Sequence, residues 1–393
     1  MDPHGPRPAG PLDGVRVLNL ATMLAAGHAT ALLADFGAEV IQVELPGRGD
    51  TLREMGPFHE GRSLRWAVVG RGKKSVAADL HTPAGVELVK RLAAVSDVVV
   101  ENFRPGRLAA WGLGYEQLRE LNPGVILLSI TGYGQTGPDS HRPGFGRVLE
   151  AVSGLMNSTG AADGPPQQIG LPLVDYMTGT NAAMAVSMAL YHRAAQPDGE
   201  GQWIDVSLYE SVVRMLDSVI SRYSVTGEVQ GRSGNRYAHV APSDVYRTRD
   251  GRYVFHSSAT QTVFKRLAAA IGRPDMLEDP RYATNTARTQ RGDEVNDIVQ
   301  DWFARHDFEE ALAVMDAHDV PVGPVNTVAE VAADPQLRGR ESLVDVEADG
   351  VAVLMPGLVP KFSRTPGAIG HPGPALGAHS DAVLEQLLER NER

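Results

Sequence analysis

Apolar residues in the first 130 positions fall into short unbroken runs separated by stretches of helical spacing. VRVLNL from Val15 reads as a buried strand, the Ala-rich stretch from Thr22 to Phe36 as a helix, and EVIQVE as a second strand. Gly37 suits the left-handed cap that ends such a helix, so the three segments predict a βαβ unit with parallel strands. The alternation continues with a helix from Pro83 to Val95, a strand DVVVEN at 97–102, a helix near Tyr115 to Leu121 and a strand VILLSI at 125–130. The expected fold is α/β with an open parallel sheet. Residues 173–193 predict a long Ala- and Met-rich helix, and QWIDVSL at 202–208 a further strand leading into a helix from Tyr209.

From about Val225 the chain becomes polar and Gly-rich, then resumes with the short signals RYVFHSS, TVFKRLAAAIG and DIVQDWFARH. This shift predicts a large domain over 1–224, a smaller α+β domain over 225–325, and a linker and C-terminal part over 326–393. The segments near 200–230 and 325–355 read as long, open linkers. Pro356, Pro360, Pro366, Pro372 and Pro374 predict an extended meander before a short helix from Ser380.

Composition narrows the chemistry. The chain has no cysteine, which removes disulfides, thiolate zinc sites and thiol nucleophiles and leaves covalent chemistry to oxygen or nitrogen side chains. A formal net charge of -11 argues against general affinity for nucleic acid or an anionic membrane. Apolar runs such as AAMAVSMALY from Ala182 are far shorter than the roughly 20 residues of a membrane-spanning helix. The N-terminal MDPHGPRPAGPLDG reads as an extended arm and not as a signal peptide, so a cytoplasmic protein is expected.

Several familiar motifs fail. GRGKKS at 70–75 resembles a phosphate-binding loop, but Ala67 stands where its first glycine belongs. The first βα turn, TMLAAGHA, lacks the glycines of a dinucleotide site, and Glu44 at the end of the second strand does not replace them. There is no G-x-S-x-G elbow and no H-E-x-x-H or paired-histidine spacing, so no metal is expected.

Other segments run in a recognisable order: PLDGVRVLNL, LLADFGAEVIQVELPGRGDTLR, RGKKSVAADL, SDVVVENFRPGRL, GLGYEQLRELNPGVILLSITGYGQTGP, RPGFGRVLEAVSGLMNSTG, LPLVDYMTGTNAAMAVSMALYHR, GEGQWIDVSLYES, VPVGPVNTVAEVAADPQL and FSRTP followed by PALGAHSDAVL. Together they resemble the family III (CaiB/BaiF) CoA-transferases. The resemblance implies a Rossmann-like large domain built from both chain ends, a small domain inserted between them, and two subunits interlocked as a homodimer. It places the catalytic carboxylate on Asp175 in LVDYMTG, with acyl-CoA and a carboxylic acid as partners and no permanently bound cofactor. Such a carboxylate becomes a mixed anhydride and then an aspartyl-CoA thioester, out of reach of water. Backbone donors near Gly179 are expected to offset its desolvation. Read without the resemblance, Asp175 is also a natural helix cap.

For CoA, ENFRPG sets Asn102, Phe103 and Arg104 at the carboxyl end of a strand, with Phe103 suited to flank adenine and Arg104 to meet a phosphate. Arg71, Lys73 and Lys74 form a second basic cluster, either a phosphate site or a solvated turn. Tyr133 matches a family position lining the acyl site, and Gly132 and Gly134 would let the backbone approach the thioester.

The chain departs from the family in places. Members that racemise 2-methylacyl-CoA carry a histidine where this chain has Phe145 and Gly146, which counts against a racemase, with His141 as the one nearby substitute. Many transferases have Asp where this chain has Gly146 and Gln where it has Glu150. Leu24 replaces the glutamine of the formyl-CoA branch and argues against oxalate, which leaves His28 either facing substrate or packing near the helix start. In GRSGNRYAHVAPSDVY, Gly234 and Asn235 suit a hinge, and Arg236 or His239 a second carboxylate of a diacid. The leading expectation is transfer of CoA from succinyl-CoA or another short acyl-CoA to a carboxylic acid. The alternatives are a 2-methylacyl-CoA racemase and an inactive CoA-binding paralogue.

Overall fold

A computed structural model of the protein describes residues 10–237, 239–348 and 350–391. The first nine residues of the expected N-terminal arm lie outside them. The described chain divides into two compact units, the first comprising described residues from 10 to 155, 169 to 225 and 335 to 391, the second those from 156 to 168 and 226 to 334. Both differ from the expected boundaries: the second unit takes in 156–168 and runs on to 334.

The first unit is built on six strands, β1 (Arg16–Asn19), β2 (Glu39–Glu44), β3 (Lys73–Ala77), β4 (Val98–Glu101), β5 (Ile126–Thr131) and β6 (Trp203–Ser207). All pair in parallel in the order 3-2-1-4-5-6, the doubly wound Rossmann order. Its helices include α1 (Leu24–Asp35), α2 (Leu64–Val69), α3 (Pro83–Ala94), α4 (Tyr115–Leu121), α5 (Gly146–Val152), α6 (Leu173–Ala195), α7 (Leu208–Val213) and α8 (Ser380–Asn391). Because helices cover both faces, the central strands are apolar on both sides. Val17, Val98, Val100 and Ile126 pack with α1 and α6 on one face. Leu18, Val99, Val125 and Leu127 pack with α3 and α4 on the other.

β3 is the strand that the apolar pattern did not predict. Its first residues are Lys73 and Lys74, and their charges hide it from hydropathy. The expected open linkers are structured as well. Residues 203–226 hold β6, α7 and a helix at Val219–Thr226, and residues 328–356 hold two short helices and an antiparallel hairpin, Leu343–Ala348 with Val351–Pro356. In its first strand the alternation of Val344, Asp345, Val346 and Glu347 is a two-faced strand signal.

α1 and α6 are joined by small residues. A Cβ on Gly179 would lie 2.6 Å from the carbonyl oxygen of Ala25, so glycine lets the two helices close to backbone contact. Gly179 is thus a packing residue inside α6, four residues beyond Asp175.

The second unit is α+β. Strands Ser243–Arg247, Tyr253–Ser257 and Val322–Pro324 form an antiparallel sheet. Helices Gln261–Ala270, Gly292–Phe303 and Phe308–Ala317 pack on it around Tyr246, Phe264, Val299 and Phe303. No helix among the described residues is long and apolar enough to cross a membrane.

Candidate active site

The strand order reverses between β1 and β4, which leaves a crevice beyond their carboxyl ends. Asn102 ties the two sides together: its Oδ1 accepts from the Thr22 amide at 3.1 Å, and its Nδ2 donates to the Thr22 carbonyl at 2.6 Å. The next residue, Met23, has φ 69°, a left-handed conformation that is costly for a side-chain-bearing residue. Asp50 holds it there by accepting from its amide at 3.3 Å. A cavity of about 670 Å³ opens at this point, its wall including Met23, Leu24, Phe103, Arg104, Phe145 and Asp175.

Asp175 sits in the first turn of α6. The cap position is Pro172, so the aspartate is not the N-cap that its residue type suggests. Its carboxylate abuts Gly146, the first residue of α5, where an added Cβ would stand 2.1 Å from Oδ2. Burial raises its pKa above the usual aspartate value, opposed by a hydrogen bond from its own backbone amide and by the charges of Arg147 and Arg65.

The two chain segments that meet at Gly146 and Asp175 are held together by Glu150. This buried carboxylate accepts from the Ile169 amide at 2.7 Å and from Arg147 Nη1 at 3.0 Å, and Arg147 also donates to the Ile169 carbonyl at 2.5 Å. A glutamine would keep the amide contact but lose the charge that fixes Arg147. Among the expected residues, Asn102, Phe103, Arg104, Gly132 and Phe145 line the same cavity as Asp175. Phe145 is 65% exposed, and Phe103 meets Trp111 edge to face at 5.0 Å. Tyr133 lies behind the wall, packed against Tyr209 at 5.9 Å. Gly134, at φ 88°, turns its bare side to Asp205, whose carboxylate accepts from the Gln135 amide. It shapes the loop and does not line the cavity.

The basic cluster is corrected. Arg71 is buried, and its guanidinium forks onto Asp35 at 3.0 and 2.5 Å while donating to the Pro356 carbonyl at 2.7 Å. Lys73 is fully buried and donates to the Gly27 carbonyl at 2.9 Å. Burial lowers its pKa to about 8 against the pull of Asp50, Glu44 and Asp35. Lys74 pairs with Glu39 at 2.5 Å. Arg71 and Lys73 brace the edge of the sheet from within it, and Lys74, 32% exposed, pairs with Glu39 beside them. Lys73→Met should therefore destabilise the fold by about 3 kcal/mol in chemical denaturation, since it strands a carbonyl and buried carboxylates. A CoA-binding lysine would instead change KM with little effect on the unfolding midpoint.

His28 is half-buried on α1, its ring edge-on to Tyr176 at 4.9 Å and its Nε2 3.4 Å from Thr180 Oγ1. Burial, then Arg71 and Lys73, lower its pKa to about 4, so it is neutral near pH 7, and it stands outside the cavity wall. Arg236, in the second unit, engages Asp244 at 2.9 Å and also Asp293. His239 lies near Tyr237, with its carbonyl accepting from Asn285. His141 is not part of the cavity wall, and no lining residue is a histidine.

Arg65, Arg142 and Arg147 also line the cavity and were not singled out from the sequence. A signal existed for Arg65: an arginine between Leu64 and Trp66 interrupts an apolar helical run.

The chain is 43% identical over 388 residues to a succinyl-CoA–D-citramalate CoA-transferase of Chloroflexus aurantiacus, covering 98% of this chain and 96% of that protein. It is 42% identical over 383 residues to the beta subunit of a succinyl-CoA–L-malate CoA-transferase of the same organism, covering 96% and 94%. The crystal structure of a CaiB/BaiF family protein from Brucella suis superimposes with a TM-score of 0.85 at 35% identity, covering 96% of this chain and all of that one. The sequence model of CoA-transferase family III matches residues 12–380, and the chain belongs to that family.

Proposed function

We propose that this protein transfers CoA from succinyl-CoA to a dicarboxylic acid, with Asp175 as the covalent carrier. The observation that carries the reading is a half-buried aspartate of raised pKa at the switch-point cavity of a family III fold. The named relatives take succinyl-CoA as donor and citramalate or malate as acceptor, both diacids.

Asp175 attacks the succinyl carbonyl, and CoA leaves as thiolate. CoA then attacks the aspartyl carbonyl of the mixed anhydride, which releases succinate and leaves an aspartyl-CoA thioester. The acceptor carboxylate displaces CoA to form a second anhydride, and return of CoA to its acyl carbon yields the new thioester and free Asp175. Each step conserves an activated acyl group, so the apolar wall of Met23, Leu24 and Phe145 acts by keeping water out. Asn102, Phe103 and Arg104 are assigned to CoA, with exposed Arg104 meeting a phosphate and Tyr133 backing the acyl site. Racemisation has less support, because the wall offers no histidine to move an α proton.

The test is mass spectrometry of enzyme incubated with succinyl-CoA and quenched with hydroxylamine, which should place the modification on Asp175. An unmodified Asp175 in an active enzyme excludes the carrier role. The pH dependence follows from the raised pKa. As pH falls through it, the carboxylate protonates and ceases to be a nucleophile. The acidic limb of kcat/KM is therefore expected above the ordinary aspartate value of about 4.

We also infer an interlocked homodimer. Met184, Met188 and Tyr191 lie along one side of α6 and are 52%, 61% and 79% exposed, an apolar stripe that a second copy would cover. Light scattering on the eluted protein tests this, and a stable monomer removes it.

A further inference from the structure

Four arginines line the cavity that holds Asp175, and they differ in what they already bind. Arg147 is held by Glu150 and the Ile169 carbonyl, and Arg142 by Asp139 and the Tyr133 ring. Arg104 is exposed on the loop after β4. Arg65 is half-buried, and among the described residues its guanidinium has no carboxylate or carbonyl partner. A guanidinium withdrawn from water without an acceptor is costly, and an anion from outside relieves the cost.

α2 holds this side chain on a rigid support. Ser63 caps the helix by accepting from the Trp66 amide at 3.1 Å and donates to the Met55 carbonyl at 2.6 Å. Trp66 is buried beside Leu24, Leu52 and Val69, its Nε1 donating to the Pro374 carbonyl at 3.0 Å and its face covered by Arg53 at 4.1 Å. Arg65, the residue before it, is thereby held in the wall of the cavity that Asp175 also lines. It is near enough for its charge to act on Asp175 and Tyr176, yet it forms no ion pair with the aspartate. A contact pair would quench the nucleophile.

We propose that Arg65 is the subsite for the distal carboxylate of the dicarboxylic substrate, holding one end of the acid while the other reacts at Asp175. The inference rests on the CoA-transfer reading above and adds to it the group that distinguishes diacids from monoacids. A planar guanidinium offers a carboxylate two parallel hydrogen bonds, which a monoacid of equal length cannot accept. A C4 diacid gains that bond, whereas butyrate leaves the cation unpaired.

The test is isotope exchange, following labelled succinate into succinyl-CoA and labelled butyrate into butyryl-CoA. Wild-type enzyme should exchange succinate far faster. In Arg65→Met and Arg65→Gln the ratio of succinate to butyrate exchange should fall by about 10²-fold, mainly through KM for succinate. Arg65→Lys should recover part of it. Any change in the reactivity of Asp175 affects both acids alike and cancels in the ratio. Exchange by the wild type with an unchanged ratio in both variants overturns the Arg65 assignment alone. A wild type that exchanges neither acid overturns the CoA-transfer reading and this subsite together.

Discussion

Asp175→Ala is expected to lower kcat for CoA transfer by roughly 10⁴-fold or more while leaving the protein folded, because it removes the group that carries the acyl chain and replaces nothing in the core. The stability side can be derived from the same carboxylate. Its folded pKa is raised by burial, so ionisation costs the native state free energy at every pH above that value, and the cost vanishes when both states are protonated at low pH. Alanine removes the charge, so the melting temperature at pH 7 should hold or rise slightly. Loss of activity with an unchanged or higher melting temperature assigns the effect to chemistry. A variant with near-normal turnover removes the covalent mechanism, and one that unfolds at ordinary temperature shows that Asp175 is structural.

The second large effect comes from a residue with no side chain. Gly146→Ala places a methyl group 2.1 Å from where Asp175 Oδ2 now lies, well inside van der Waals contact. The backbone at Gly146 is helical, so alanine itself is tolerated and should even favour α5 by a few tenths of a kcal/mol, as glycine-to-alanine changes in helices do. The carboxylate must rotate away instead. A displacement of about 1 Å at a reacting group is worth roughly 10²-fold in rate, and that is the drop expected in kcat. KM for CoA should change little, since Asn102, Phe103 and Arg104 are untouched. Unchanged kcat in Gly146→Ala would mean that the position of the carboxylate seen here is not the reactive one.

Much of the fold was legible because parallel strands buried on both faces are nearly pure runs of Val, Ile and Leu. β1, β2, β4 and β5 stand out in this way. β3 did not, because its two lysines are neutralised by Glu39, Asp35, Glu44 and Asp50, residues that no local window of sequence brings near them. The same long-range pairing turned a plausible phosphate site into a sheet brace. The hairpin at 343–356 falls in the stretch read as an open linker, although the alternation of its first strand was visible.

Read alone, the sequence determined the family and the open parallel sheet and singled out Asp175 as the expected carrier, since each is written in contiguous residues: apolar runs of strand length and the motif LVDYMTG. Tertiary structure alone decided what surrounds that carboxylate. Gly146 touches it across the loop that precedes α6, Arg147 and Arg65 act on it from two different helices, and Lys73 is taken out of contention by burial. Local sequence reports propensity and hydrophobic period over a few residues, whereas the field and free space around a reactive group are set by segments distant in the chain.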